Sequence, residues 1–451
     1  PNPMRKQIEK SQPKTLEPGR PRDPEVEHRI LTVALQHLIT QGFARKSIEQ
    51  ILSAGLKGGQ VCSVNFPPLD PDEDRVMEAL RGLAAAPGDY CVPRPDTPAL
   101  LASLERVLSR SPDHPGANHF YIHAVEAVDP ARAVPMAERL AGLVPGAGHL
   151  VHMPGHIYVR VGRYADAIRA NEHAVHADEV FIRDQQPAFG MYTAGYYPHN
   201  YDFLAFAASM IGRREQAMRA AAKMTTIAAP EILRTAGMTF TQHHLTRHLQ
   251  FAVRFGAWQE VLMHATPPDA DLPHARAMWH YARGRALVGR GDGARAAVEL
   301  TQLRTAASDP SLADARLEFN SSAAILELAA MVLAAHVTEG GGDLGGAVKQ
   351  LQHAVRLEDA LTYGEPPEWS VPVRQELGAM LLRAGRAAEA EQAFRVDLVR
   401  FPENGWSLSG LACALEAQGQ DAEAALVRLR FARIWEGDTA WRATCGGPAH
   451  P

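Results

Sequence analysis

The chain has 451 residues, 46% of them hydrophobic, which is enough apolar material for one long repeat array or for two or three domains. Residues 1–58 are net positive within a chain of net charge −5, so any nucleic-acid contact would have to come from the front end. We find neither a membrane-length apolar run nor a hydrophobic segment at the beginning of the chain. We therefore expect a cytoplasmic protein with no membrane partner.

The front end combines a basic arm with a short helical segment. Residues 1–23 are rich in Pro, Lys and Arg, a helix is predicted to open at Pro24, and Ser47 is placed to cap a second helix, SIEQIL. The run Gly19–Leu52 resembles the opening of TetR-type transcriptional repressors. The segment that follows it, AGLKGGQVCSVNFPPLDPDED, has too many glycines and prolines to form the recognition helix of that family. We therefore expect residues 1–60 to form a separate arm, and we do not expect DNA to be a partner.

From about Glu73 onward the pattern is helix after helix, with a recurring turn between paired helices. The turn consists of a glycine, then small or polar residues, then an alanine, which only the third copy lacks. Its copies are GRYADA at Gly162, GRREQA at Gly212, GAWQEV at Gly256, GDGARA at Gly291, GRAAEA at Gly385 and GQDAEA at Gly419. Glycine adopts the left-handed conformation that ends a helix, and the small alanine lets the two helices pack closely. The turns therefore predict a series of helix hairpins.

Successive turn glycines are 50, 44, 35, 94 and 34 residues apart, and the interval of 94 has room for one further pair around GGGDLGGAV. The last interval matches the tetratricopeptide repeat (TPR) period. The chain resembles the TPR family across most of residues 73–438, with about eight helix pairs. More narrowly, it resembles bacterial TPR proteins in which segments like NHFYIHAVEA, GHLVHMPGHIY, YYPHN and EPPEWSVPVRQELG occur together. The resemblance implies an all-α fold, with a right-handed α-solenoid of TPR-like hairpins over residues 61–451.

Several histidines occupy equivalent places relative to the turn glycines. His149, His199 and His243 each stand thirteen residues before a turn glycine, and His152 and His156 share a predicted helix with His149. In the TPR family the first helices of the pairs line the concave face and contact the ligand. The resemblance therefore implies that these five histidines face one groove.

The segment NHFYIHAVEA adds His119, His123 and Glu126 on one face of a helix. Imidazole is a ligand for zinc, iron and copper, and two histidines four residues apart on a helix can reach one ion. The HExxH motif of zinc proteases is absent. We predict Glu126 as a catalytic base or a further ligand. The predicted metal ligands are His119, His123, His149, His152, His156 and His199.

Further polar and aromatic residues are predicted to line the ligand groove. Two arginines could bind a carboxylate, a tyrosine and an asparagine flank His199, and a proline-stiffened segment, EPPEWSVPVRQ, could close one end of the pocket. The predicted groove residues are His243, Arg160, Arg254, Tyr197, Asn200, Glu365, Trp369 and Arg374.

The sequence leaves three functions open. The first is a TPR-type binding scaffold whose concave groove holds a peptide, a protein, a small anionic ligand or a metal. The second is a metal-dependent enzyme, of hydrolase or oxygenase type, that uses the same His/Glu cluster. The third is a TetR-like DNA-binding regulator with a TPR sensor domain. No GxSxG motif, phosphate-binding glycine loop or CxxC pair is present, which disfavours serine hydrolase, nucleotide hydrolase and thiolate zinc chemistry.

Overall fold

The computed structural model describes residues 97–187, 190, 192–227, 230–264 and 266–437. The predicted arm of residues 1–60 and its TetR-like segment lie outside these described residues. Within them the fold is all-α, and the only β-type pairing is an isolated bridge between Arg316 and Ser321. The predicted all-α fold class is confirmed for this part of the chain.

The helices follow one another in pairs, and the corners within the pairs are short, as the turn pattern predicts. In the first part they are α1 Thr97–Arg110, α2 Pro115–Val125, α3 Val134–Leu143, α4 Gly148–His152, α5 Pro154–Arg160 and α6 Tyr164–Gln185. In the middle part they are α7 Tyr197–Met210, α8 Arg214–Ile227, α9 Thr239–Arg254, α10 Trp258–Met263, α11 Pro273–Gly289 and α12 Gly293–Ala307. In the last part they are α13 Ser322–Gly340, α14 Leu344–Asp359, α15 Val373–Arg383, α16 Ala387–Arg400, α17 Gly405–Glu416 and α18 Asp421–Ile434.

Each predicted turn glycine, which we call a corner glycine from here on, joins two packed helices and has a positive φ, between 62° and 81°. A further corner at Gly342, with φ 90°, joins α13 to α14 and supplies the extra pair predicted around GGGDLGGAV. The alanine five residues after a corner is buried in every copy that has one; Ala167 and Ala217, for example, are 0% exposed. Each hairpin also packs against the next, for instance α8 against α9 and α12 against α13. The described chain is therefore an α-solenoid of stacked hairpins.

The last hairpins of the solenoid pack against the first ones. Trp406 at the start of α17 donates its indole N–H to the carbonyl oxygen of Ser209 in α7, at 2.8 Å. Gly162 lies so close to the α16–α17 connection that a Cβ there would be 2.6 Å from the carbonyl oxygen of Pro402. The α14–α15 loop also contacts earlier helices directly, since Arg247 of α9 donates to the carbonyl oxygen of Glu368 at 2.9 Å.

Helix α13 departs from one sequence expectation. No apolar run of membrane-spanning length was expected, but Ser322–Gly340 contains an 18-residue window of mean hydropathy 1.4 and could cross a membrane by length and composition. The core helices of soluble proteins pass the same test. In the structure Ile325, Leu328 and Val332 are fully buried among the neighbouring helices. A single helix of this kind is weak evidence for a membrane span.

Candidate metal centre

Helix α2 brings the first histidines to the site. Pro115 stands at its first position, and the Nδ1 of His114 caps it by accepting the backbone N–H of Ala117 at 3.1 Å. His119 and His123 lie one turn apart, with ring centroids separated by 4.9 Å. Glu126 follows directly after the helix and extends the same face.

Helices α4 and α5 carry three more histidines across a proline. Pro154 begins α5 and does not exclude His149 from a helix, because His149 lies within the short helix α4. Met153 keeps right-handed helical angles between the two helices, with φ −51° and ψ −36°. His152 in α4 and His156 in α5 therefore remain on one stripe, and their Nε2 atoms are 2.8 Å apart.

His152 is completely buried, and its tautomer is fixed by Asn171 on α6. The Nδ1 of His152 lies 2.8 Å from the Oδ1 of Asn171. The amide of Asn171 is oriented by its own N–H₂ group, which donates to the carbonyl oxygen of Ala167 at 2.8 Å. Oδ1 can only accept, so Nδ1 of His152 carries the proton. The neutral ring therefore points an Nε2 lone pair at His156.

His156 is held in the same way by two carboxylates. Its Nδ1 lies 3.0 Å from Oε2 of Glu126 and 3.1 Å from Oε2 of Glu365, so Nδ1 donates. A neutral His156 would then face His152 lone pair to lone pair. That arrangement is repulsive unless a cation, either a proton or a metal ion, lies between the two nitrogens. Burial lowers the pKa of His156, but Glu126 and Glu365 outweigh it and raise the pKa to about 10. Without a metal, the cation is therefore a proton.

His199, in the first turn of α7, completes this group. Its ring centroid lies 5.0 Å from that of His152 and 5.9 Å from that of His156. Phe203, one turn further along α7, packs against all three rings at 4.6 to 5.0 Å. The ligand atoms of the three histidines all lie within 4.8 Å of one another. We call His152, His156 and His199 the inner triad.

A second group of histidines lies beside the inner triad. The Nε2 atoms of His119 and His149 are 3.2 Å apart, and the ligand atoms of His119, His123 and His149 also lie within 4.8 Å of one another. We call these three residues the outer triad. Glu126 touches both triads, because its Oε1 lies 3.2 Å from Nδ1 of His123 while its Oε2 contacts His156.

These distances match those that one ion imposes on its ligands. Two nitrogens bound to one zinc ion at 2.0–2.1 Å lie about 3.3 Å apart at a tetrahedral angle and about 2.9 Å apart at a right angle. The 2.8 Å between the nitrogens of His152 and His156 and the 3.2 Å between those of His119 and His149 are near this range. Little movement of the rings would be needed to bind an ion.

Most of the imidazoles are held in the neutral form that binds metals. Burial, followed by the charge of neighbouring histidines, lowers the pKa of His119, His152 and His199 well below the usual range. The same causes lower the pKa of His149 to about 3. For Glu126, burial opposes ionisation, but His156 and His123 outweigh it and lower its pKa. Burial raises the pKa of Glu365.

Of the predicted groove residues, Glu365 and Arg160 reach the cluster. Glu365 contacts His156, as described above. The Nε of Arg160 lies 3.5 Å from Oε1 of Glu365 and also donates to the carbonyl oxygen of Glu126 at 3.2 Å. Arg160 therefore borders the cluster and holds Glu365 in place.

Tyr197 and Asn200 face away from the histidines, which corrects the prediction for both residues. The hydroxyl of Tyr197 donates to Glu179 at 3.0 Å, and the amide of Asn200 donates to Asp178 at 2.7 Å. Both acceptors lie on or beside the far half of α6, so these two residues bind α7 to α6.

The prediction for His243 was wrong. Its Nδ1 lies 3.1 Å from Nε2 of His274, and its Nε2 lies 2.9 Å from the backbone oxygen of Glu368. The α14–α15 loop that brings Glu365 to His156 also brings Glu368 to His243. This loop fills the space beside α9, so both nitrogens of His243 are already engaged.

Arg254, Trp369 and Arg374 were also predicted at the pocket, and none of them contacts the cluster. Arg254 is buried over the ring of Trp406, with 4.7 Å between guanidinium and ring centroid. Trp369 packs against Tyr281 at 5.3 Å. Arg374 forms two hydrogen bonds with Asp359, each 2.6 Å long. These side chains pack the solenoid instead of lining the histidine pocket.

Asn171 and Phe203 also belong to the site and were not predicted from the sequence. Asn171 is fully buried within the otherwise apolar stripe of α6, and a polar residue at such a position was the available signal. Phe203 stands four residues after His199, so its contact follows from helical spacing alone.

Comparisons with known proteins add little to this geometry. No protein-family model and no curated protein matches the chain. Among solved structures, the chain is similar to the crystal structure of the TPR domain of P58(IPK), with 13% identity over 83% of this chain and 96% of that one, at a TM-score of 0.24. At this score the likeness carries no argument, and the α-solenoid stands on the corner glycines and stacked hairpins of the chain itself.

Proposed function

We propose that the protein is an α-solenoid that binds a divalent transition metal, such as zinc, iron or copper, at the inner triad. One observation carries the proposal: the Nε2 atoms of His152 and His156 face each other at 2.8 Å while both Nδ1 atoms are committed to oxygen acceptors. Metal-binding histidines usually donate their second ring nitrogen to an oxygen in this way.

The third histidine favours a metal over a shared proton. A proton between His152 and His156 accounts for two rings, but it does not account for the convergence of His199 on them, whose Nδ1 otherwise lies 3.8 Å from Glu318. An ion bound at 2 Å by three imidazoles accounts for the convergence of all three. Imidazole ligands also favour zinc, copper or iron over magnesium and calcium, which prefer oxygen. Glu126 and Glu365 supply negative charge that compensates for the ion.

The test is elemental analysis of protein made without a histidine tag and grown with each metal in turn. We expect about one or more equivalents of a transition metal, and the loss of one equivalent in a His152→Ala, His156→Ala variant. The matched control is His173→Ala, His176→Ala, which removes two exposed histidines of α6. Circular dichroism checks that both variants fold. The proposal fails if wild-type protein contains no metal and gains no thermal stability from added zinc, iron or copper.

A metal-dependent enzyme is the second candidate, and a specific feature favours it. In the inner triad His152 and His156 are buried, but the cluster reaches the surface at His123, whose side chain is 39% exposed. Glu126 lies beside His123, and its lowered pKa keeps the carboxylate ionised, which is the state in which it can accept a proton or attract a cation. The test is turnover of hydrolase and oxygenase substrates by metal-loaded protein. We expect Glu126→Gln to weaken metal binding and to abolish turnover even when enough metal is added to saturate the sites; turnover restored by added metal would limit Glu126 to positioning the histidines.

Binding of a peptide, a protein or a small anion in the groove remains a prediction. DNA binding by residues 1–60 also remains untested, because those residues lie outside the described part of the chain.

A further inference from the structure

We propose a second metal site at the outer triad, so that the protein binds two ions. The carboxylate of Glu126 contacts one histidine ligand of each ion. This inference rests on the proposed metal site at the inner triad and extends it. Its ligands are His119, His123 and His149.

The outer triad has the dimensions of a site for one ion. The Nε2 atoms of His119 and His149 lie 3.2 Å apart, close to the tetrahedral separation of about 3.3 Å for zinc. The ring centroid of His119 lies 4.9 Å from that of His123 and 5.0 Å from that of His149. The rings come from two different helices, α2 and α4, so the spacing along one helix does not explain their convergence.

His149 also carries an unsatisfied nitrogen. Its Nδ1 is buried and has no hydrogen-bond partner in the described residues. If Nδ1 is protonated, a buried donor lacks an acceptor; if Nε2 is protonated, a buried lone pair lacks a donor. Neither tautomer satisfies both nitrogens of His149. An ion bound to Nδ1 would give that atom the partner that the described residues do not supply, whereas an ion bound to Nε2 would lie between His149 and His119 and leave Nδ1 as a proton donor.

Glu126 connects the two triads through equivalent atoms. Its Oε1 lies 3.2 Å from Nδ1 of His123, and its Oε2 lies 3.0 Å from Nδ1 of His156. One carboxylate thus orients one imidazole of each site and leaves both Nε2 atoms free for metal. Its negative charge also lies between the two cations and reduces their repulsion. Glu126 is therefore the positioning residue common to both sites.

The two sites differ in their access to solvent. In the inner triad His152 and His156 are buried, whereas the outer triad includes His123 at the surface. We expect the outer ion to exchange faster and to keep a coordination position open to water or substrate. A catalytic site requires such an open position. The inner ion would then have the more structural role.

The test is a zinc titration of metal-free, untagged, full-length protein, with bound zinc measured after gel filtration and release measured with a chelator. We expect two equivalents, one released quickly and one slowly. His119→Ala, His149→Ala should retain a single slow equivalent. His123→Ala changes an exposed side chain, so it should fold normally while weakening the fast equivalent about tenfold or more. The control His173→Ala, His176→Ala should retain both.

Copper provides a readout that does not depend on the measured number of bound metal equivalents. Two Cu(II) ions in adjacent sites are expected to couple magnetically, so the electron paramagnetic resonance signal of doubly loaded protein should be weaker or broader than that of two isolated ions. His119→Ala, His149→Ala should show one isolated Cu(II). A wild-type protein that binds one equivalent, unchanged in the outer-triad variants, overturns the second site and leaves the proposed function standing. A protein that binds none overturns both.

Discussion

Glu365 follows His156 by 209 residues, yet its carboxylate oxygen lies 3.1 Å from the Nδ1 of that histidine. The α14–α15 loop that carries Glu365 also contacts α9, where the backbone oxygen of Glu368 lies 2.9 Å from His243. The histidine cluster is therefore assembled from segments that lie far apart in the sequence.

This relationship predicts that Glu365→Gln lowers the affinity of the inner triad for zinc. The amide keeps the shape and an acceptor oxygen, but it removes the negative charge that makes His156 a better ligand. Loss of such a partner typically costs about 10- to 100-fold in metal affinity. Competition with a chromophoric chelator measures the change. Glu358→Gln is the matched control, because Glu358 is equally buried and lies away from the cluster, with its carboxylate at the backbone of Val373. Equal zinc affinity in the two variants would show that the charge of Glu365 does not contribute to zinc binding.

Asn171 should matter as much for zinc binding as a metal ligand does, although it does not contact the proposed ion. Asn171→Leu leaves the buried Nδ1 proton of His152 without an acceptor, which should destabilise metal-free protein by about 1–3 kcal/mol. It should also weaken zinc binding, because the His152 tautomer is no longer fixed. Urea unfolding and zinc titration measure the two effects. Asn171→Asp retains the acceptor oxygen but loses the donor to Ala167, so it should recover part of the affinity; an affinity no higher than that of Asn171→Leu would argue against the tautomer assignment.

Gly155 allows α5 to approach α6 closely enough for Asn171 to reach His152. A Cβ at position 155 would lie 2.7 Å from the amide nitrogen of Asn171. Gly155→Ala should therefore destabilise the protein by about 1–3 kcal/mol and weaken metal binding. Gly142→Ala is the matched control in helix α3, since nothing lies within 4 Å of its added Cβ. This control should be neutral or stabilising by up to about 1 kcal/mol. Similar unfolding free energies for the two variants would contradict the close approach.

A pair of corner glycines tests the contact between the two ends of the solenoid. Gly162 and Gly419 have similar left-handed φ values, 77° and 71°, so alanine should cost about 1–2 kcal/mol at each from backbone strain. Only at position 162 would the added Cβ meet another hairpin, at 2.6 Å from Pro402. Gly162→Ala should therefore have the lower denaturation midpoint and the lower zinc affinity. If Gly419→Ala is equally destabilising, the contact between the ends contributes nothing measurable.

The corners of the fold could be predicted from sequence because the residues that specify each corner lie next to one another in the chain. A glycine that must adopt a positive φ and an alanine that must fit between two helices leave a signal within six residues, as at Gly162 and Ala167. The histidine pairs of α2 and of α4–α5 could be predicted for the same reason, because helical spacing fixes which side chains share a face.

The remaining parts of the site depend on contacts between distant segments. The turn-based numbering aligned His243 with His149, but it could not show that a loop more than a hundred residues later would occupy the space beside α9. Likewise, the segment that contains Glu365 was predicted at the pocket, yet the sequence could not distinguish Glu365, which enters it, from Trp369 and Arg374, which pack elsewhere. Asn171 was missed because its role is set by its partner and not by its own helix.

The most direct test of the metal site is anomalous diffraction at the metal absorption edge, from crystals of untagged protein loaded with zinc. The account predicts a peak about 2 Å from the Nε2 atoms of both His152 and His156, with His199 as the third imidazole. Zinc-loaded crystals with no anomalous peak between these two nitrogens would contradict it.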